Sequence, residues 1–541
     1  MSRVRPQRPQ SQFPTPHRII GQVPIRALSV AAALTAVLAT GESSVHAGVN
    51  YKWIGNTTVN ADFSTATNWS PTGVPGASDG FGIATGSSAT APVVFNPGVG
   101  NTVSLYGGIN LGGPQPGGSG GSTADTGYLA INSGTMQQTS QATYIGYYGT
   151  GVMTINSGGT FSKSGGSAFT EGLNTGSNGT IVVNTGGTLA LQVGASIGSS
   201  GDGVLKIYGG TLQDTATANT QIWSVGTGAG TGLIDIRGGT ISSTSTGVLA
   251  LNVGYISSTS GTGRGTLEGY GTVNTLNTSG TGKFGVGGQI IADGTQANSS
   301  VADHTLNISY QAGQLLTSAN TPGTTHYGWY TANHGALELP AVTIGSNSNN
   351  KNYKYAIWGD PSTVGANWTP GTASTALVNS AALHTNVTSG TVNMALLDPT
   401  RTTAVDGSTA LLANNTDKSF LNIWQVTPSV ALNADQFSVR YDESFSPTNA
   451  ADTKAGSLYG FYYWDGNPLH TWQDLSANTT IDTTNYLAQF SDSGSPLSFS
   501  AGTSGYFALA AVVPEPASLA LLVLGSGLIL LPRKKHQPFR R

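Results

Sequence analysis

Residues 151–161 read GVMTINSGGTF, and four other stretches lie over them: GYLAINSGTM from 127, GTIVVNTGGTL from 179, GVLKIYGGTL from 203 and GLIDIRGGTI from 232. The leading glycines 127, 151, 179, 203 and 232 are 24, 28, 24 and 29 residues apart, a period typical of stacked repeats. Two residues after each glycine stand Leu129, Met153, Ile181, Leu205 and Ile234; four after it stand Ile131, Ile155, Val183, Ile207 and Ile236. Between those columns stand Ala130, Thr154, Val182, Lys206 and Asp235, which admit charge. Two apolar columns flanking a tolerant one have the period-2 alternation of a strand with one buried face. Ile155, Ile207 and Ile236 are therefore expected in one core, and Thr154, Lys206 and Asp235 outside it. Burying an unpaired Asp or Lys costs several kcal/mol.

After each strand a Gly-containing turn leads to Thr and another apolar residue: Met136, Phe161, Leu189, Leu212 and Ile241. A second element recurs as YIG (144–146), SIG (196–198), SVG (224–226) and NVG (252–254). One such pair of strands cannot bury its face, but strands stacked about 4.8 Å apart share a continuous core. A β-solenoid is expected over 98–300, with GTLEGYGTV (265–273) near its last repeat. Residues 48–97 are expected to cap its first end through Trp53, Phe63 and Trp69; a sugar platform is the alternative use of those rings. Thr135, Thr160, Thr188, Thr211 and Thr240 would stack into a surface ladder, which either satisfies turns or orders water as in some ice-binding solenoids.

Beyond about residue 300 the glycine period stops and aromatic residues concentrate. Runs such as YKYAIW, FLNIWQV, QFSVRYD and LYGFYYWDG, separated by Asn, Gly, Pro and Asp turns, predict an antiparallel β-sandwich-like domain over 301–511. In its stretch 461–472, Tyr463, Trp464 and Trp472 are candidate carbohydrate-binding residues. Strand alternation would turn about half of these rings toward the core.

Composition excludes several functions. Charged residues are 9% and the formal net charge is −3, so nothing draws the chain to nucleic acid. With no cysteine, disulfides, thiolate metal sites and thiol nucleophiles are absent. The 8 histidines form no metal-ligand spacing, and no metal or cofactor is expected. Gly194-Ala195-Ser196-Ile197-Gly198 matches a nucleophile elbow, but falls within the repeat with no helix after it. Asp202, Asp214, Asp235 and Glu268 are spread singly, without the paired carboxylates that glycoside chemistry uses. No catalytic residue is assigned.

Both ends read as addresses. Five arginines within residues 1–26, the apolar run Ala27–Ala39 and a small-residue site predict a signal peptide over 1–47, cleaved between Ala47 and Gly48. At the other end Pro514, Glu515 and Pro516 precede the apolar Ala517–Leu531 and a basic tail with Arg533, Lys534 and Lys535. Fifteen helical residues span roughly 22 Å, short of a ~30 Å hydrocarbon core, and the basic tail holds that end on the cytoplasmic side.

The order Pro-Glu-Pro, apolar segment, basic tail over 512–541 resembles the PEP-CTERM sorting signal of bacterial exosortase substrates. The resemblance implies that Pro514-Glu515-Pro516 is the sorting motif, that an exosortase-type membrane enzyme is a partner, and that the tail is a transient anchor in the cytoplasmic membrane. Pro532 and the HQPF before the last arginines depart from the tighter basic cluster of such tails. The repeats, GTLEGYGTV and the opening YKWIGNTTVNADFSTATNWSPTGVPGASDG (51–80) resemble autotransporter-type β-strand repeats of secreted bacterial surface proteins, which implies architecture rather than activity. The expected protein is mainly β, a solenoid followed by a sandwich-like domain, with helices only in the terminal targeting segments. Its expected function is that of an exported structural or adhesive protein of the cell surface or exopolysaccharide matrix. A carbohydrate-binding surface protein and a polysaccharide-acting β-helix enzyme are the alternatives.

Overall fold

The computed structural model describes residues 48–55, 61–217, 220–226, 228–254, 264–296, 302–311, 314–317, 328–344, 355–359, 377–401, 403–405, 419–441, 458–482 and 486–511. The expected signal peptide, with Ala47, and the sorting segment, with Pro514, Glu515, Pro516, Arg533, Lys534 and Lys535, lie outside them. The protein is mainly β, and among the described residues its only helical turns are the 3₁₀ segments Ala66–Asn68 and Ser476–Asn478. No helix of the described residues is long and apolar enough to cross a membrane.

Each central repeat contributes three strands. In one repeat they are Thr143–Ile145, Thr150–Ile155 and Gly159–Lys163; in the next, Phe169–Glu171, Asn178–Asn184 and Thr188–Leu191. Every one of them pairs in parallel with its counterpart, so Gly127, Gly151, Gly179, Gly203, Gly232 and Gly265 stand side by side in register. The first strands build an 11-stranded sheet, and the other two kinds belong to a 23-stranded one.

The glycine columns follow from this stacking. A Cβ on Gly151 would lie 2.2 Å from the backbone nitrogen of Gly146, so the corner closes only without side chains. Gly146 itself turns at φ 73°, the left-handed region that glycine enters without steric cost.

Alternation then sorts the side chains. Met153, Ile155, Ile181, Val183, Ile207, Ile234 and Ile236 are fully buried, and each contributes about 1.5–3 kcal/mol on removal from water. Thr154 and Lys206 face outward and are part-exposed. Asp235 shares their column but is covered, which corrects the expectation of an open position; its partners are described below. At the corner after the second strand, asparagines stack as a ladder. The Asn156 amide donates to Asn132 Oδ1 (2.7 Å), and the Asn184 amide to Asn156 Oδ1 (2.8 Å).

Trp53, Phe63 and Trp69 are buried at the first end of the stack, where Trp69 meets Trp53 and Phe63 edge-on at 4.9 and 5.1 Å. Parallel pairing continues past residue 300. His304–Ser309 pairs with Arg264–Asn274 and with Gly335–Glu338, and pairing turns antiparallel only where Gly335–Glu338 meets Thr391–Leu397. From there Ser419–Pro428, Gly505–Ala511 and Leu458–Trp464 extend the large sheet antiparallel. A six-stranded sheet that includes Leu432–Arg440 packs against them. Phe437 stacks on Phe507 at 3.9 Å and meets Phe461 edge-on at 5.4 Å.

Candidate functional site

The register assembles two side-chain groups on the outer surface of the stack. The first centres on Arg237, in the strand Thr231–Ser243. Its Nε lies 2.6 Å from Asp235 Oδ1, one Nη 2.8 Å from Asp293 Oδ2 and the other 3.7 Å from Glu268 Oε1. The Tyr208 hydroxyl donates to Asp235 Oδ2 at 2.8 Å, and Arg237 also donates to the Thr295 carbonyl. Carboxylates expected to be scattered therefore converge, because Asp235 and Glu268 are register partners and the Arg237 side chain reaches Asp293 from another repeat.

Burial pushes Glu268 above the usual carboxylate range, with the Asp235 charge adding to it and Arg237 opposing. Burial acts the same way on Asp293, but the Thr295 amide and Arg237 outweigh it and hold that carboxyl low. Tyr208 is pushed up to about 12, by burial first and by its bond to Asp235 second. A guanidinium shared among three carboxylates offsets part of their mutual repulsion and ties repeats together.

The second group lies on the 11-stranded sheet. Tyr144 projects from Thr143–Ile145, and Tyr147 and Tyr148 follow in the next turn. The Tyr144 and Tyr147 rings stack at 4.9 Å with an interplanar angle of 11°, and Tyr148 meets Tyr147 edge-on at 4.4 Å. All three are part-exposed. Burial and a hydrogen bond with Tyr148 raise the pKa of Tyr147. A Cβ on Gly113 would come within 2.9 Å of the Tyr147 ring, and one on Gly121 within 2.0 Å of the Tyr148 ring, so glycines in the preceding loop make room for both. In register with Tyr144 the outward column continues as Thr170, Ser196, Ser224 and Asn252, all uncharged.

Ser196, the serine of the elbow-like pentapeptide, is thus one member of that column, in the strand Ala195–Ile197 and not at a strand-to-helix turn. Thr102, Thr135, Thr160, Thr188, Thr211, Thr240 and Thr272 form an in-register ladder on the other sheet.

The candidate sugar-binding rings all lie in the core, the packing role that strand alternation offered as the other reading for part of them. Tyr463, Trp464 and Trp472 are 7%, 4% and 7% exposed. Alternation would leave half of them open, but the successive residues Phe461–Trp464 are all buried. Phe461 and Tyr463 enter the main core, while Tyr462, Trp464 and Trp472 join a second one with Phe420 and Tyr506. Trp464 stacks on Tyr506 at 5.0 Å and donates to the Asn467 carbonyl at 2.8 Å, so no ring face is open there.

Among the described residues no three His, Asp or Glu side chains are arranged to hold a metal ion. No family model, curated protein or solved structure matches this chain.

Proposed function

We propose that this chain is an exported structural or adhesive protein of the cell surface or exopolysaccharide matrix. In this reading the stacked repeats are a β-solenoid, the antiparallel sheets beyond them are a sandwich-like domain, and the C-terminal segment is a PEP-CTERM sorting signal read by an exosortase-type enzyme. The observation that carries the reading is the in-register parallel stack with a continuous apolar core and largely uncharged outer columns. Stacked repeats of this kind support one another through their shared core and hold their form without a ligand or disulfide. The two terminal segments supply the address.

The test is to express the chain in a host with exosortase-type processing and to fractionate the cells. The proposal expects protein in the envelope or matrix fraction, and no release of reducing ends from neutral or acidic polysaccharides. Cytoplasmic protein, or steady release of reducing ends, overturns it.

A further inference from the structure

At the first end of the stack, two of the three kinds of strand finish on a short closing segment. Trp69–Ser70 lies antiparallel along Asn50–Trp53, and Ala61–Asp62 pairs with Val93–Phe95. The third kind begins with Thr102–Leu105, whose only register partner among the described residues is Gly134–Gln138. The carbonyls of Asn101 and Leu105 point toward that partner and accept from the backbone N–H groups of Thr135 and Thr139. Successive residues of a strand turn their N–H and C=O to opposite sides. Those of Thr102 and Ser104 therefore point away from the stack, and no described residue pairs with them there. Thr102 is exposed and Ser104 part-exposed.

Sheet edges are usually guarded by charge, proline, a bulge or extreme shortness. The two closing segments have two residues each, but Thr102–Leu105 has four, in unbroken register. It contains no proline, and from Gly80 to Ala124 the chain has no Asp, Glu, Lys or Arg. Val99 and Tyr106, on either side of the strand, are 83% and 52% exposed.

We propose that this edge pairs with the same edge of a second copy of the chain, antiparallel about a two-fold axis. Such an axis sets Thr102 of one copy opposite Ser104 of the other, so that every open N–H and C=O on both strands finds a partner. The occupant follows from the edge itself. It offers donors and acceptors in equal number, and its neutrality lets two copies meet without like-charge repulsion. A two-fold contact closes on itself, so the product is a dimer and not a fibre.

Self-pairing goes beyond the proposed function and does not depend on export. The test is sedimentation velocity of the full chain in mild detergent, over a concentration series up to about 100 µM, with melting curves in parallel. A reversible monomer–dimer equilibrium is expected. Ser104→Lys and Ser104→Glu should each weaken the dimer at least about tenfold, because like charges then flank the axis, and an equal mixture of the two should restore it. Thr160→Lys should dimerise like the parent, since its strand is paired on both sides.

A parent that stays monomeric throughout, a charged variant that dimerises normally, or assembly that grows past the dimer overturns the proposal. Where a charged variant also melts earlier the mixture decides: opposite charge restores a contact across the axis but does not repair a lost strand, so a mixture without dimers counts against it.

Discussion

Replacing Glu171 by isoleucine should make the protein more stable. Glu171 ends the strand Phe169–Glu171 in an inward column, directly between Ile145 and Ile197. It is fully buried, and neither carboxyl oxygen has a hydrogen-bond partner of good geometry. Burial drives its pKa well above the ordinary value, and the Val204 backbone amide, near it but outside that geometry, opposes this only in part. In the fold the group is held protonated, while in the unfolded chain it ionises normally. Below the ordinary carboxylate pKa both states carry the proton and folding is unaffected. As pH rises above that value the unfolded chain releases its proton first, so stability falls until the raised native pKa is reached.

An unsatisfied buried polar group costs about 1–3 kcal/mol, and isoleucine restores the apolar column as well. Glu171→Ile is therefore expected to gain about 1–3 kcal/mol at neutral pH, and less at about pH 4. Glu171→Gln should remove the part of the pH slope that Glu171 contributes while keeping the shape. Urea midpoints of the three proteins between about pH 4 and 8 measure this. A loss of stability in Glu171→Ile, or a parent-minus-variant difference that does not widen as pH rises across that range, would refute the reasoning.

Arg237→Met would leave Asp235, Glu268 and Asp293 crowded without their cation. It is expected to cost about 3 kcal/mol in urea unfolding, more than a surface substitution can explain. The register itself is tested by a neighbouring pair: Ile207→Ala should cost about 2–5 kcal/mol and Lys206→Ala no more than about 0.5, and a reversed order would mean the strand faces the other way. Glu515→Ala keeps the apolar length and Arg533, Lys534 and Lys535, so a simple anchor would be indifferent to it. Accumulation of unprocessed protein in the cytoplasmic membrane is the expected outcome, and normal processing would favour a plain anchor.

The stack was legible because its constraints repeat. Leu129, Met153, Ile181, Leu205 and Ile234 announce an inward column by period, and the glycines beside them mark corners where no Cβ fits. Glu171 escaped notice because it stands where the YIG, SIG and SVG elements carry an aliphatic residue, so the segment TEG did not look like a member of the set. The Arg237 group was hidden for another reason. Arg237 and Asp293 are 56 residues apart, and only the parallel register brings their strands near. Trp464 misled because alternation tells which side chains share a face, not whether the opposite face is also covered. Tyr144 and Tyr147 were visible as letters in YIGYYG, yet only the structure places their rings parallel and part-exposed.

The central claim is export followed by processing at both ends, and the intact mass of the protein recovered outside the cytoplasmic membrane tests it most directly. The account predicts a chain that begins at Gly48 and lacks Ala517–Arg541. Recovery there of a chain that still carries Arg533, Lys534 and Lys535, or one that begins at Met1, would contradict it.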